Sequence, residues 1–302
     1  MMKKIILFTV IIGVIAFLSI WGCGENATEV DNTPDSDEEA IQLLLDENST
    51  YFETDNQYGE EDTTGVRTEG KDEINTFFWF REKTNEPDAN INIEINGDSA
   101  FVEIQRFYEG ILHLFAWEND TTVVTYTKDF NDQSLRYAIF KRIYTPENDP
   151  LHRRGWRLQE VSGAETGSPN HTVKIDSVRL NCDSYADTVF TNPLAIFSVE
   201  DIVKLYPEER CSLTVYTNCG DEIPDYVFLH SWQRNSPHYR RRFSYDGNGV
   251  FSGVWFAPSN TQQSTGRVHH AAFDMLSNET LKDDSLSYDS QAWIFPYRVI
   301  AE

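Results

Sequence analysis

The sequence is short of positive charge. Its 302 residues contain 25 Lys and Arg against 49 Asp and Glu, which gives a formal net charge of −24. Such a chain is repelled by nucleic acid, whose duplex carries one negative charge per about 1.7 Å, and by anionic lipid headgroups. The composition therefore argues against nucleic acid as a partner, and the acidic surface is expected mainly to keep the protein soluble.

The sequence also lacks the short motifs that carry common chemistries. It contains no G-x-S-x-G, no H-E-x-x-H and no P-loop. No C-x-x-C occurs among its four cysteines, which disfavours a redox motif or a zinc ribbon. His269 and His270 are adjacent on a predicted strand and must point to opposite faces, so they cannot share one metal there. We therefore predict no catalytic residue, no cofactor and no metal site.

The N-terminus carries the clearest signal in the chain. Lys3 and Lys4 precede an almost wholly apolar run over residues 5–20. This order is typical of the n-region and h-region of a secretory signal. The run is short for a membrane span, which needs about 20 residues, so its length alone leaves both readings open.

The residues after the apolar run resemble the bacterial lipobox, in which a small residue precedes the cysteine that receives lipid. The segment is Ile20-Trp21-Gly22-Cys23, and Gly22 and Cys23 match the pattern. Trp21 departs from it, since a small residue is usual there, and this puts the efficiency of cleavage in doubt. The resemblance implies that residues 1–22 are a lipoprotein signal peptide. Cys23 would then begin the mature chain, carrying a diacylglycerol and an amide-linked fatty-acyl chain such as palmitate.

Lipidation at Cys23 would attach the protein stably, since one acyl chain gives marginal membrane binding and several hold it. Removing residues 1–22 removes two lysines and no acidic residue, so the net charge changes from −24 to −26. We predict a lipid-anchored protein of the cell membrane or outer membrane that faces the periplasm or the exterior. An uncleaved anchor and ordinary secretion are the alternatives. Gly24 is not the aspartate that favours inner-membrane retention in enteric bacteria, which slightly favours the outer membrane.

Residues 23–35 are predicted to be an acidic, disordered tether. No Lys or Arg occurs between Gly24 and Asp62, but the fixed ligand spacing of a calcium loop is absent, so we favour a solvated linker over a calcium site. About 270 residues remain, more than one domain of typical size. We divide them at the polar Gly/Pro segment 165–170 into regions 36–165 and 170–302.

The first region, residues 36–165, reads as helices followed by strands. Ser36 and Glu39 have the spacing of a capping box and predict a helix over 37–52. A second helix is predicted over 71–83, with a strand as the alternative because its aromatic residues suit either. A hairpin with a Glu-Gly turn and three more strands follow, an α+β pattern. The predicted strands are 99–108, 111–117, 121–127, 135–143 and 155–161.

Three segments of this region resemble the ketosteroid-isomerase and nuclear-transport-factor superfamily, which has a cone-shaped α+β fold. They are INGDSAFVEIQRFYEGILHLF, SLRYAIFKRI and RRGWRLQEVSG. The resemblance implies a curved sheet around a helix, with an interior that often forms a pocket. Enzymes of the superfamily use an acidic residue inside the cone as a base, but no residue here matches by motif. His113 shares a strand face with aromatic residues, and we favour a satisfied or surface histidine there over a catalytic or ligand-binding one.

The second region, residues 170–302, reads as strands and turns. About seven short strands, two of which flank the tight-turn sequence 246–249, predict an all-β sandwich of immunoglobulin-like size. A short helix is predicted over 199–206. Cys182 ends one strand and Cys211 begins a later one, so antiparallel neighbours would bring them together. We predict a Cys182–Cys211 disulfide with Cys219 free, and three reduced, buried thiols are the alternative.

These patterns predict a membrane-anchored envelope lipoprotein of unknown activity that acts as a binding or structural module. Its partner besides the membrane would be a protein, a glycan or a small molecule. The alternative is an envelope hydrolase or isomerase with its site in the cone of the first region. A pocket that holds a carboxylate of strongly raised pKa would favour the enzyme, and an interior filled by aromatic side chains would exclude it.

Overall fold

The computed structural model describes residues 34–54, 57–58, 74–119, 121–185, 187–233, 236–259 and 267–300. At residue 119 and residues 232–239 it describes the backbone alone. The predicted signal peptide, Cys23 and most of the predicted tether lie outside these residues. No helix in the described ranges has the length and apolar character that crossing a membrane requires.

The described chain consists mainly of antiparallel strands. The helices are α1 (Asp37–Glu47) and α2 (Asn278–Lys282). The strands are β1 (Asn75–Lys83), β2 (Asp88–Asn96), β3 (Ser99–Asn119), β4 (Thr122–Arg142), β5 (Trp156–Gly167), β6 (Ile175–Asn181), β7 (Thr188–Phe190), β8 (Ile196–Ser198), β9 (Val203–Leu205), β10 (Arg210–Thr217), β11 (Tyr226–Gln233), β12 (Ser236–Arg242), β13 (Ser244–Gly247), β14 (Val250–Phe256), β15 (Val268–Leu276) and β16 (Ser290–Val299).

The predicted α+β cone is wrong, because the described structure is nearly all β. The segment predicted as a second helix, 71–83, contains strand β1. A β-bulge between Thr76 and Phe78 shifts the strand alternation by one residue. The bulge places the apolar residues of β1 at spacings that resemble a helical period. The short helix predicted over 199–206 is also wrong, since this segment contains β9, which runs parallel to β16.

Two pairs of predicted strands are each one long strand. β3 and β4 are both 21 residues long and pair along their length. The Glu-Gly sequence inside β3 is not a turn. A side chain at Gly110 would collide with the Glu82 carbonyl oxygen and lie 2.5 Å from the Phe130 ring. The glycine is therefore explained by close packing inside the sheet rather than by a change of chain direction.

The larger sheet curls so that its first and last strands meet. Its order is β1-β3-β4-β5-β16-β15-β11-β12, with β2 on β3, β8 on β5 and β9 on β16. The Trp79 ring of β1 lies 5.2 Å from the Phe228 ring of β11. The Arg240 guanidinium of β12 lies 3.8 Å from the same tryptophan. The curl gives this sheet a buried concave face and a convex outer face.

Helix α1 packs against one end of the concave face. Ile41 and Leu44 share a buried cluster there with Val102, Phe140 and Trp156. The predicted cap is present, since the Ser36 hydroxyl accepts a hydrogen bond from the Glu39 backbone N–H at 3.1 Å. The helix is shorter than predicted and is followed by a 3₁₀ turn over Ser49–Tyr51.

The smaller sheet has the order β13-β14-β10-β6-β7 and packs on β11, β15 and β16 of the larger sheet. Strand β15 is buried on both faces. The predicted β-rich character of the C-terminal part is confirmed. Strand β5 ends at Gly167, inside the predicted boundary segment, and pairs with β16. The larger sheet therefore contains strands from both predicted regions. That these regions are two independent domains stays a prediction.

Candidate functional site

An open groove of about 310 Å³ lies on the convex face of the larger sheet. Two rows of cross-strand neighbours on β3, β4 and β5 form its floor, and the segment that follows β5 forms one wall. The lining residues are Gln105, Phe107, Gln133, Ser134, Leu135, Glu165, Gly167, Ser168, Pro169 and His171.

The wall of the groove is held in place by hydrogen bonds. The Glu165 carboxylate accepts from Gln291 Nε2 at 2.5 Å. His171 Nδ1 lies 2.9 Å from the Ser168 carbonyl oxygen. Both carboxylate oxygens of Asp289 accept from the Thr172 backbone N–H at 3.1 Å. A binding surface whose polar groups are already fixed loses little conformational freedom when a ligand binds.

Apart from His171 and the Glu165 carboxylate, which accepts from Gln291, the polar side chains of the groove are neutral and lie beside one phenylalanine ring. Gln105 donates to the Glu103 carboxylate at 2.9 Å, and the exposed Gln133 lies on the neighbouring strand. Phe107 is 38 % exposed. A few convergent polar groups next to apolar surface are the usual composition of a ligand site, and this set suits a polar, uncharged ligand.

A second cluster of charged side chains lies inside the curled sheet. Arg81 of β1 donates to both carboxylate oxygens of Asp274 of β15, at 2.7 and 3.0 Å. His230 of β11 lies 2.9 Å from Asp274 Oδ2. All three residues are fully buried. The Arg81 guanidinium and the His230 hydrogen bond hold the pKa of Asp274 well below its usual value, against the opposing effect of burial.

Asp132 of β4 extends this cluster. Its Oδ2 accepts from the Tyr58 and Tyr288 hydroxyls at 2.8 and 3.0 Å, and Arg81 Nε donates to the Tyr288 oxygen at 2.9 Å. Its other oxygen, Oδ1, is buried and has no hydrogen-bond partner among the described residues. Burial raises the pKa of Asp132 from 3.8 to about 6, although Arg81 and the two tyrosines act in the opposite direction.

A third group of buried polar residues fixes the segment after α1 to the concave face. The Arg136 guanidinium donates to the Tyr51 and Glu53 carbonyl oxygens and lies 3.3 Å from His270 Nε2. Arg106 donates to the Phe52 carbonyl oxygen. Burial and the nearby Arg136 charge keep the pKa of His270 well below its usual value. The arrangement anchors the chain through backbone carbonyls, which suits a structural role.

The buried cluster and the groove are separate. None of Arg81, Asp132, His230 or Asp274 lines the groove, and each is at most 2 % exposed. Aromatic rings fill the adjacent interior, including Tyr58 stacked 5.6 Å from Phe130. The raised pKa expected of a catalytic carboxylate is therefore found at Asp132, which the side chains of the described residues enclose.

The cysteines predicted to pair lie close together. Cys182 follows β6 and Cys211 lies in β10, its antiparallel neighbour, and both are buried free thiols, as is Cys219. A hydrogen bond to the Cys182 thiol, together with burial, raises the pKa of Cys211. The Cys182–Cys211 disulfide stays a prediction. Cys23, the predicted lipidation site, lies outside the described residues.

The other residues singled out in the sequence are scattered. His113 lies on the convex face, stacked on Phe80 with ring centroids 4.7 Å apart. His269 and His270 point to opposite faces of β15, towards Tyr297 and Arg136 respectively. No cluster of three or more potential metal ligands occurs in the part of the chain that the structure describes.

Comparison with protein-family models, with curated proteins and with solved structures finds no match to this chain. The inferences below therefore rest on the residues and their geometry.

Proposed function

We propose that this chain is a membrane-anchored lipoprotein of the cell envelope that works as a binding module. The lipobox resemblance at Cys23 supports the anchor. The open groove on β3, β4 and β5 carries the binding role, because its polar groups converge beside an exposed aromatic ring. A β-sandwich of immunoglobulin-like size in the C-terminal part would serve as a rigid scaffold for it.

An envelope hydrolase or isomerase is the second candidate. Its supporting observation is Asp132, a buried carboxylate whose pKa is raised to about 6. A base must lie within hydrogen-bond reach of a substrate proton, and Asp132 is surrounded by Tyr58, Tyr288 and Arg81 instead. The groove is open and Asp132 is enclosed, so we favour the binding module.

The anchor is tested by the intact mass of the protein purified from membranes. We expect the native chain to begin at Cys23 with added acyl mass, and the Cys23→Ala variant to carry none. Because the variant carries no acyl chain, it is also expected to leave the membrane fraction once its signal peptide is removed. An unmodified native mass that starts at Met1 would show that the anchor is a membrane-spanning segment and that the lipobox reading is wrong.

The groove is tested by thermal unfolding of the whole chain against a panel of small neutral sugars, amino acids and dipeptides. A ligand at 100 times its Kd stabilises the folded state by about 2.7 kcal/mol. We expect at least one compound to raise the Tm of the wild type and of Asn131→Ala, but not of Gln133→Ala. Asn131 is an exposed amide on the same face of β4 that does not line the groove. Ligands that stabilise all three proteins equally would place binding elsewhere.

A further inference from the structure

A second feature of the convex face is a group of aromatic side chains on β1 and β3. Phe78 pairs across the strands with Phe115, and Phe80 pairs with His113. Their rings are in contact, with centroids 5.2 and 4.7 Å apart, and Phe77 is stacked 4.8 Å from Trp117 at the end of β3. This aromatic platform consists of Phe77, Phe78, Phe80, His113, Phe115 and Trp117.

The platform packs on itself rather than on a core. None of its residues belongs to, or packs against, a hydrophobic cluster in the described ranges. Trp117 is 37 % exposed, and Val123, its neighbour on β4, is 45 % exposed. The other five platform residues are half-buried, so the platform presents a partly exposed apolar surface, which is typical of a binding surface.

The platform and the groove are joined by one strand. Alternate side chains of β3 face outwards, from Gln105 and Phe107 in the groove to His113, Phe115 and Trp117 in the platform. At about 3.3 Å per residue, residues 105 and 117 lie about 40 Å apart along the strand. Such a track is longer than a small molecule and suits an extended, linear ligand.

The charges beside the track limit the chemistry of that ligand. Glu109 is itself an outward residue of β3 between the groove and the platform, and Glu82 and Asp129 lie on either side of the next outward residue, Ile111. His113 Nε2 lies 2.8 Å from the Glu82 carboxylate, which is 59 % exposed. Carboxylates beside the track would repel a polyanionic ligand. They accept hydrogen bonds from the hydroxyl groups of a neutral ligand. The glutamine amides in the groove can both donate and accept.

We infer that the groove and the aromatic platform form one extended site for a neutral, linear glycan that lies along β3. Sugar hydroxyls would bond to the amides and carboxylates, and the apolar faces of sugar rings would pack on the aromatic rings. The inference rests on the proposed binding role of the groove and adds the ligand class and the second half of the site. It predicts that affinity depends on the length of the glycan.

The test is calorimetric titration of the whole chain in detergent micelles with cellobiose, mannobiose and chitobiose and with the hexasaccharide of each of these three sugars. We expect at least one hexasaccharide to bind about tenfold tighter than the disaccharide of the same sugar, as an added aromatic contact would give. Phe78→Ala should remove that gain and leave disaccharide binding unchanged. Gln133→Ala should weaken both ligands. Phe256→Ala is the matched control, since Phe256 is 43 % exposed on β14, in the other sheet, and it should change neither affinity.

The outcomes separate this inference from the proposed function. Hexasaccharide binding that is unaffected by Phe78→Ala, or no tighter than disaccharide binding, overturns the extended site and leaves the groove in place. Binding that is unaffected by Gln133→Ala overturns the role of the groove. No binding of any hexasaccharide overturns the ligand class, while the panel of small ligands still decides on the groove. Self-association that Phe78→Ala abolishes would make the platform a contact between two copies and overturn the inference.

Discussion

Replacing Arg81 by methionine is expected to lower the free energy of unfolding by about 3–5 kcal/mol, the cost of leaving a buried charge without its partner. Arg81 makes two hydrogen bonds to Asp274, and both side chains are fully buried. Methionine fills much of the same volume but carries no charge, so Asp274 would keep only the bond to His230. Urea denaturation of the whole chain measures the loss as a lower midpoint.

Arg179→Met is the matched control for this variant. Arg179 also forms a bidentate pair, with Asp187, but both side chains are nearly half exposed. Exposed pairs contribute at most about 1 kcal/mol, so the control should unfold close to the wild type. A loss for Arg81→Met no larger than that of the control would contradict the structural role of the cluster.

The double variant Arg81→Met, Asp274→Leu separates the loss of attraction from the cost of an unpaired charge. Replacing a whole buried ion pair by apolar residues is often neutral or stabilising. We therefore expect the double variant to be more stable than Arg81→Met alone, although His230 then loses its partner at Asp274. A double variant as unstable as the sum of the single variants would indicate that each residue acts independently.

The cluster also bears on how the chain folds. Arg81 and Asp274 are 193 residues apart and belong to the two regions that the sequence divides. Strand β1 reaches β11 and β15 only because the larger sheet curls, so the ion pair can form only when both regions are in place. We expect near-ultraviolet circular dichroism and tryptophan fluorescence to report one common transition during the same denaturation experiment.

The sequence predicted strands well wherever the alternation is regular. A strand was predicted directly after the turn sequence 246–249, and β14 begins there at Val250. The prediction failed at β1, where a bulge breaks the alternation, and at Gly110, where a tightly packed glycine resembles a turn. Bulges and close approaches depend on the neighbouring strand, which a single sequence does not specify.

The site was less predictable than the strands. His113 was recognised as sharing a strand face with aromatic residues, but Phe80, which stacks on it, was assigned to a helix. The groove needs the register of three strands, which brings Phe107 and Gln133 together. Asp132 was placed between two predicted strands. The inward position of Asp132 can be predicted from the sequence only if β4 is taken as one continuous strand. Phe130, Asp132 and Ser134 then occupy alternate positions and share one face.

Asp132 gives a second large effect, a dependence of stability on pH. Burial raises its pKa from 3.8 in the unfolded chain to about 6 in the folded protein. The folded protein therefore binds this proton more tightly, so the wild type loses stability as the pH rises between these two values. A shift of about two units corresponds to about 3 kcal/mol. In the Asp132→Asn variant the side-chain amide could still accept from Tyr58 and Tyr288, but it cannot ionise.

We therefore expect Asp132→Asn to gain about 3 kcal/mol relative to the wild type between pH 4 and pH 7. Urea denaturation of both proteins at each pH measures the difference. Buried His270, whose pKa is lowered, makes both proteins lose stability as the pH falls below about 6.5. Because His270 is present in both, its contribution cancels in the difference. Asp274, whose pKa is lowered, stays ionised in both proteins across this range.

The result also weighs the two functional candidates. If the difference between Asp132→Asn and the wild type does not change with pH, Asp132 ionises as in an unfolded chain, and the enzyme candidate loses the observation that supports it. If the difference grows as expected, the raised pKa that the enzyme candidate requires is present, and only the enclosure of Asp132 by Tyr58 and Tyr288 argues for a structural role. A raised pKa then accompanies a closed interior, and binding remains the role of the open convex face.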